Sequence, residues 1–103
     1  MEVTKEVIAE WKEKYKKVFK TTLDGIDYYY TTLKRPTYIQ FLTKQQVDPD
    51  FDYEFETLKA CILEPTIEEE FRNDLENKSG LGVVLLEQIM LKSGWQQVES
   101  EEL

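Results

Sequence analysis

The apolar positions at the start of the chain follow a helical period. Val7, Ile8, Trp11 and Tyr15 recur at helical spacing, and lysines and glutamates fill the positions between them. This is the pattern of an amphipathic helix that buries one face. It predicts a helix over residues 3–15.

The period then changes to that of β-strands. Two segments rich in β-branched and aromatic residues, at about 17–23 and 26–33, flank Asp24 and Gly25. An Asp-Gly pair between such segments is a strong hairpin signal, because a type I′ turn needs positive φ at both central residues. The pattern therefore predicts one antiparallel hairpin with a two-residue turn.

A two-residue turn fixes the register and divides three consecutive tyrosines between the two faces. Side chains alternate along a strand, so Tyr28 and Tyr30 lie on the core face and Tyr29 lies on the wetter face opposite Lys20. We expect Tyr28 and Tyr30 to be buried and Tyr29 to be more exposed. The predicted core face comprises Phe19, Leu23, Ile26, Tyr28 and Tyr30.

Four further helices are predicted in the rest of the chain. The first opens at Pro36 and should end by Gln46, with Thr37 and Gln40 at the spacing of a capping box. The apolar spacing after Asp48-Pro49 favours a second helix over residues 51–63.

The caps of these later helices are predicted from short polar residues. Asp50 is a suitable N-cap for the helix at 51–63. Thr66 and Glu69 repeat the capping-box spacing before a short helix with a four-residue apolar stripe. That stripe is formed by Ile67, Phe71 and Leu75.

The last predicted helix, residues 81–93, is apolar around most of its circumference. Such a helix is either central to the fold or half covered by a partner. Gly94 is suited to the C′ position, and Trp95 should fold back toward Met90. Candidate partner-binding residues are Leu85, Ile89, Met90 and Trp95 here, and Tyr29 on the hairpin.

Together these elements predict an α+β fold: an N-terminal helix and one hairpin packed against about four helices. Residues 1–95 form one globular domain in this interpretation, and residues 96–103 form an acidic flexible tail. Two strands alone are marginally stable, so helices must cover the apolar face of the hairpin. The outer edges of the hairpin should stay unpaired unless another chain adds a strand.

Charge is unevenly distributed and limits the classes of partner. Residues 1–35 carry eight lysines and arginines against six carboxylates, whereas residues 36–103 carry five against fifteen, which gives −8 overall. Nucleic-acid binding requires a basic surface, and the lysines of residues 12–20 are better explained as a solvated helix end. We expect no nucleic-acid partner.

Neither a membrane nor an export pathway is indicated by the hydropathy of the chain. No run reaches the roughly 18 apolar residues that span a bilayer. The N-terminus lacks the basic start and apolar stretch of a signal peptide. We expect the chain to be located in the cytoplasm in which it is made.

Catalytic and metal-binding signatures are weak. The sequence has no histidine and one cysteine, Cys61, which excludes an internal disulfide and the Ser-His-Asp and Cys-His arrangements. An Asp-x-Asp-x-Asp run begins at Asp48 but lacks the glycine and glutamate of a calcium loop. Gly80-Leu81-Gly82 is only a fragment of a phosphate-binding loop. We expect no enzymatic activity, cofactor or metal.

The order of these features resembles small bacteriophage proteins of the tail assembly chaperone family, or uncharacterised phage proteins of similar layout. The resemblance spans roughly residues 15–95. It is carried by Tyr15–Lys20, Thr22–Tyr30, Leu33–Tyr38, Leu58–Pro65 and Ser79–Trp95.

The resemblance implies a non-enzymatic protein that binds the tape-measure or another tail protein before tail polymerisation, in the host cytoplasm. An alternative is a structural component of the virion, in the tail, baseplate or head–tail region, held by strand addition at the hairpin edge. A third is an acidic inhibitor that mimics DNA against a host enzyme. A homo-oligomer, or a domain whose last helix is wholly internal, also fits the pattern.

Overall fold

The computed structural model describes residues 2–96 and 98–103 and confirms an α+β fold. Within this described part of the chain there are five helices and a three-stranded sheet. In chain order the elements are α1 (Lys5–Tyr15), β1 (Phe19–Leu23), β2 (Ile26–Tyr30), α2 (Arg35–Val47), α3 (Tyr53–Cys61), β3 (Ile62–Glu64), α4 (Glu69–Asn77) and α5 (Ser79–Lys92).

The hairpin has the predicted turn and register. β1 and β2 are antiparallel, with Phe19 opposite Tyr30 and Lys20 opposite Tyr29. The turn residues Asp24 and Gly25 have φ of 50° and 76°, as a type I′ turn requires. Turn chemistry and register are local properties, which is why the sequence alone determines them.

The three tyrosines divide between the faces as expected. Tyr28 and Tyr30 are 2% and 1% exposed, whereas Tyr29 is half-buried. Tyr30 stacks on Phe19 with ring centroids 5.8 Å apart. Its hydroxyl lies 3.1 Å from the hydroxyl of Thr21, within hydrogen-bond distance. The predicted core face is therefore a core face along most of its length.

Ile26 departs from that expectation. It shares the face of Tyr28 and Tyr30 by register, but its side chain is 40% exposed. The residue lies beside the turn, at the tip of the hairpin, where the packed face ends.

The predicted helix over residues 51–63 is too long, because its last part forms a strand. α3 ends at Cys61, and β3 then pairs antiparallel with β2, so the strand order is β1-β2-β3. Glu64 precedes Pro65, a position that favours extended backbone. β3 also satisfies backbone groups on the second side of the buried strand β2. The expectation of two unpaired hairpin edges is therefore wrong for β2, while β1 is still an edge strand.

Side chains cap α1 and α3. The Thr4 hydroxyl accepts a hydrogen bond from the Val7 N–H at 3.2 Å. An Asp52 carboxylate oxygen accepts one from the Phe55 N–H at 3.0 Å. The prediction of Asp50 as this cap is wrong by two residues, because the first turn of α3 begins only after Asp52.

Neither predicted capping box forms. α2 has Lys34 as its N-cap and α4 has Glu68, and neither cap makes a side-chain hydrogen bond. Thr37 lies inside the first turn of α2, and Thr66 lies two residues before the cap of α4. Each threonine therefore misses the position from which its hydroxyl would reach the free N–H groups.

α5 is the central helix and packs against α3 and α4. Leu85 and Ile89 on one side are fully buried, at 0% exposed. Val83, Val84 and Leu91 are exposed. The helix thus has a buried side that anchors the core and also apolar residues that face solvent. The core residues are Tyr28, Tyr30, Leu33, Phe41, Leu58, Cys61, Ile62, Phe71, Leu85 and Ile89.

α1 contributes none of the core residues. Its Trp11 ring lies 5.8 Å from the ring of Tyr29, so this helix covers the face of the sheet opposite the core. No helix in the described ranges is long and apolar enough to cross a membrane. The predicted tail includes Gln97, which lies outside the described residues, while residues 98–103 are exposed and form no helix or strand.

Candidate functional site

A shallow apolar groove lies where α2, α3 and the end of α5 meet. Its volume is about 370 Å³, and none of its described lining residues is charged. The lining residues, which define the apolar groove below, are Tyr38, Leu42, Gln45, Tyr53, Leu86, Met90 and Trp95.

The end of α5 places Trp95 over this groove. The Trp95 N–H donates to the Met90 carbonyl at 3.1 Å, and the Gly94 N–H donates to the Leu91 carbonyl at 3.3 Å. Gly94 has a φ of 102°, which a residue with a Cβ rarely adopts. These are the two hydrogen bonds of a Schellman motif, so the predicted return of Trp95 toward Met90 is confirmed. The indole remains 50% exposed.

Aromatic edge-to-face contacts fix the wall of the groove. The ring of Tyr38 is T-shaped to Trp95, at 5.5 Å and 75°, and to Tyr53, at 6.3 Å and 83°. The Tyr53 hydroxyl donates to the Met90 sulfur at 3.9 Å. Burial raises the pKa of Tyr53, so this hydroxyl stays protonated at neutral pH. The wall is thus uncharged and held in one arrangement by contacts from three elements.

The five predicted partner-binding residues do not form one surface. Leu85 and Ile89 are completely buried, so their assignment as contact residues is corrected: they are core residues. Met90 is half-buried and Trp95 half-exposed, and both line the groove. Tyr29 lies on the other face of the hairpin against Trp11. Hydrophobicity along α5 could not separate its buried side from its exposed side.

Sequence reasoning missed most of the groove. Tyr38 and Leu42 are not among the partner-binding residues that the sequence predicts, and Leu86 is included there only as part of an apolar helix. The available signal was a pair of four-residue spacings, Tyr38 to Leu42 and Leu86 to Met90, each of which forms a short stripe on its helix. Which stripe faces which depends on the packing of α2 against α5, and no local pattern contains that information.

Titratable groups do not assemble into a reactive centre around Cys61. The thiol is 1% exposed, and burial raises its pKa to about 12 despite the opposing charge of Lys34. A thiol nucleophile reacts as the thiolate, so this one is inert in the folded chain. Among the described residues, no group of three or more carboxylate, thiol or imidazole side chains is placed to hold a metal ion.

Comparisons with known proteins identify a shared fold. No family model matches the chain, and no curated protein is similar to it. A solved structure of the uncharacterised protein rbstp2171 from Bacillus stearothermophilus is 26% identical, with a TM-score of 0.66 over 92% of this chain and 99% of that chain. That protein is itself uncharacterised, so the similarity carries no activity and no link to bacteriophage. The chain shares this α+β architecture along nearly its whole length.

Proposed function

We propose that the chain is a non-enzymatic protein-binding module that takes up an amphipathic helix of a protein partner in the apolar groove. The observation that carries this proposal is Trp95, half-exposed yet fixed by the Schellman motif over a groove without charged lining residues. Tryptophan in such a position is typical of residues that dominate binding energy.

The shape of the groove favours a helix as the occupant. α2 and α5 supply its two sides, and a helix laid between them would bury its apolar stripe against Leu42, Leu86 and Met90. The surrounding protein is acidic, at −8 overall. A partner helix with a basic polar face would therefore be attracted to this surface, which raises the rate of association.

In its finer form, the proposal is a tail assembly chaperone whose partner is the tape-measure or another tail protein of a bacteriophage. It rests on the sequence resemblance spanning residues 15–95. The apolar groove supports it, because a chaperone of this kind must shield apolar helices before polymerisation. A position of the gene directly before a very long tail gene would favour this form.

Binding of synthetic helices tests the general proposal. Labelled peptides tiled along the neighbouring tape-measure protein, or along another long protein encoded beside this chain, are titrated and followed by fluorescence anisotropy. Trp95→Ala and Met90→Ser should each weaken binding by about tenfold or more, as hot-spot truncations do. Val47→Ser is the matched control, because Val47 is 79% exposed and lies outside the groove.

Two results would overturn the proposal. The first is that none of the amphipathic peptides binds, or that binding is unchanged by Trp95→Ala and Met90→Ser in variants that melt like the parent chain. The second is a dimer of the chain alone, seen by analytical ultracentrifugation, that Trp95→Ala dissociates. In that case the groove is occupied by a second copy.

A second candidate, a structural protein of the virion, is favoured by the open edge of β1. Within the described sheet β1 pairs only with β2, so its outer backbone groups are available for an added strand. Mass spectrometry of purified particles separates the two candidates. Stoichiometric presence of the chain favours the structural protein, and absence favours the chaperone.

A further inference from the structure

Helix α1 is joined to the sheet by a short and strained link. Residues 16–18 are all that separates the end of α1 from the start of β1. Lys16 in this link has a φ of 73° and a ψ of −50°. The Lys17 N–H donates to the Tyr15 carbonyl at 2.9 Å, which closes a γ-turn around Lys16. This form of the γ-turn is rare and strained for a residue that has a Cβ.

The strain is confined to Lys16 because the chain is held on both sides of it. The Lys16 N–H donates to the Lys12 carbonyl at 2.9 Å and so completes the last turn of α1. On the other side, the Lys17 carbonyl accepts a hydrogen bond from the Thr31 hydroxyl at 2.9 Å. Thr31 is buried, and its N–H donates to the Cys61 carbonyl at 2.9 Å. Lys16 is therefore a hinge between a helix and a fixed strand.

α1 is attached to the rest of the chain by one face. None of its residues is fully buried, and none belongs to the core. Its large apolar residues are half-buried and its other residues are exposed. The half-buried residues are Val7, Ile8, Trp11 and Tyr15. A helix held in this way can leave the sheet by a local opening that keeps the core folded.

We propose that two copies of this chain form a dimer by exchanging α1. Each α1 lies on the outer face of the other copy's sheet, so Trp11 of one copy packs against Tyr29 of the other. The contacts that α1 makes within one chain are then made between the two chains, and no packing is lost. Lys16 takes an ordinary negative φ in the opened link, which releases strain at two hinges at once. Short hinge loops under strain favour this kind of exchange.

The open edge of β1 gives the dimer a contact that a single chain lacks. Once extended, residues 16–18 continue the line of β1. Within the described sheet β1 pairs only with β2, so its other edge is free. In a symmetric dimer the two extended links run antiparallel beside the twofold axis, where their backbone groups can pair. This pairing offsets part of the loss of translational freedom on association.

The exchanged dimer does not depend on the proposed function. None of the described lining residues of the apolar groove belongs to α1. Trp95→Ala should therefore leave the exchanged dimer intact, whereas it would dissociate a dimer formed through the groove. A chain that binds no amphipathic helix can still exchange α1, and the reverse holds, so failure of one proposal is distinguishable from failure of the other.

The first test identifies which chain supplies α1. Equal amounts of ¹³C-labelled and unlabelled chain are unfolded in urea and refolded together at millimolar concentration, and the dimer is isolated by gel filtration. Isotope-filtered spectra should show an NOE between Trp11 of one chain and Tyr29 of another. A chain that stays monomeric at millimolar concentration overturns the proposal. A dimer in which this NOE arises only within one chain overturns it as well.

Two variants test the exchange by complementation. Trp11→Ala and Tyr29→Ala each remove the ring contact from dimers of a single variant. In a mixed dimer one chain still carries Trp11 and the other still carries Tyr29, so one ring contact is restored. The equilibrium constant for the mixed dimer should exceed its statistical value by about two- to tenfold, as expected for one aromatic pair. Native mass spectrometry counts the species, and a statistical proportion would show that α1 stays on its own chain.

Substitutions of Lys16 test the strained hinge. Lys16→Gly stabilises the closed link, because glycine adopts positive φ without a Cβ clash, and should raise the Kd of the dimer about tenfold. Lys16→Ala is the matched control, because it removes the same charge but keeps a Cβ, and it should leave the Kd unchanged. Analytical ultracentrifugation at several concentrations measures both. Equal effects of the two substitutions would assign the change to charge and overturn the hinge as the driving force.

Discussion

The two faces of the hairpin show that tyrosines of one strand have different roles, depending on which helices pack against them. On the core face, Tyr28 and Tyr30 are enclosed by residues of α4 and α5 and are almost fully buried. On the outer face, the ring of Tyr29 packs against the half-buried Trp11 of α1, a helix with no buried residue. The core face should therefore carry most of the stability, and the outer face should be a separable cover.

The largest expected effect is the loss of a ring on the core face. Tyr30→Ala should lower the free energy of unfolding by about 3–5 kcal/mol, the usual result of emptying an aromatic site in a core. Urea denaturation measures it. Tyr29→Ala is the matched control and should cost about 1–2 kcal/mol, because its ring is only half-buried.

The rate at which Cys61 is alkylated gives a second way to compare the two faces of the hairpin. The thiol is buried and its pKa is raised to about 12, so it reacts only when the core opens. Tyr30→Ala should accelerate labelling far more than Tyr29→Ala. Equal acceleration by the two variants would contradict the difference between the faces.

A smaller effect is expected from the contact between α1 and the sheet. Trp11→Ala should cost about 1–2 kcal/mol, and a double-mutant cycle with Tyr29→Ala should give a coupling of about 0.5–1.5 kcal/mol. The cycle isolates the ring contact, whose centroids are 5.8 Å apart. A coupling near zero would mean that α1 does not cover this face in solution.

The hydroxyl of Tyr30 provides a finer test of the core face. Tyr30→Phe keeps the ring and removes the hydrogen bond with Thr21, at 3.1 Å. It should cost about 1 kcal/mol by urea denaturation. Thr21→Val should cost about as much, and the double variant should cost less than the sum, because both changes remove one shared bond.

The smallest effect concerns Glu54, whose carboxylate lies against Gly82 where α3 meets α5. Burial, and then the charge of Asp52, raises the pKa of Glu54 above its ordinary value of 4.5. The folded chain thus holds this proton more tightly than the unfolded chain, so stability falls as pH rises from 4.5 through the raised pKa. Glu54→Gln should become slightly more stable relative to the parent chain over that window. Thermal melts at several pH values measure this, and a difference that does not change with pH would contradict it.

Local sequence patterns were sufficient to predict the hairpin and the end of α5. Asp24 and Gly25 form a two-residue turn, which fixes the register of the two strands. Gly94 allows the Schellman motif, whose hydrogen bonds lie within the six residues 90–95. Helix α1 also follows from the apolar period that its own sequence contains. In each case the deciding interactions lie within one element or its neighbour.

Sequence patterns gave wrong or incomplete predictions where contacts between distant parts of the chain decide the structure. Residues 62–64 continue a helical spacing, yet they form β3 because β2 provides a strand edge more than thirty residues earlier. For the groove, Leu85 and Leu86 are adjacent and equally apolar, yet one is in the core and the other lines the surface. Only the packing of α2, α3 and α5 separates them.

Ser93 joins the end of α5 to the segment that follows β2, so this contact depends on the last part of the chain to be synthesised. Its hydroxyl donates to the Ile89 carbonyl at 2.6 Å, and its oxygen accepts from the Leu33 N–H at 2.9 Å across 60 positions of sequence. The β1–β2 hairpin pairs only residues 19–30, so its ladder requires no later part of the chain. The Leu33 N–H, which lies shortly after β2, has this hydrogen bond only after Ser93 has been translated, 60 residues later. Until α4 and α5 have been translated, the rings of Tyr28 and Tyr30 also lack the helices that pack into the same core.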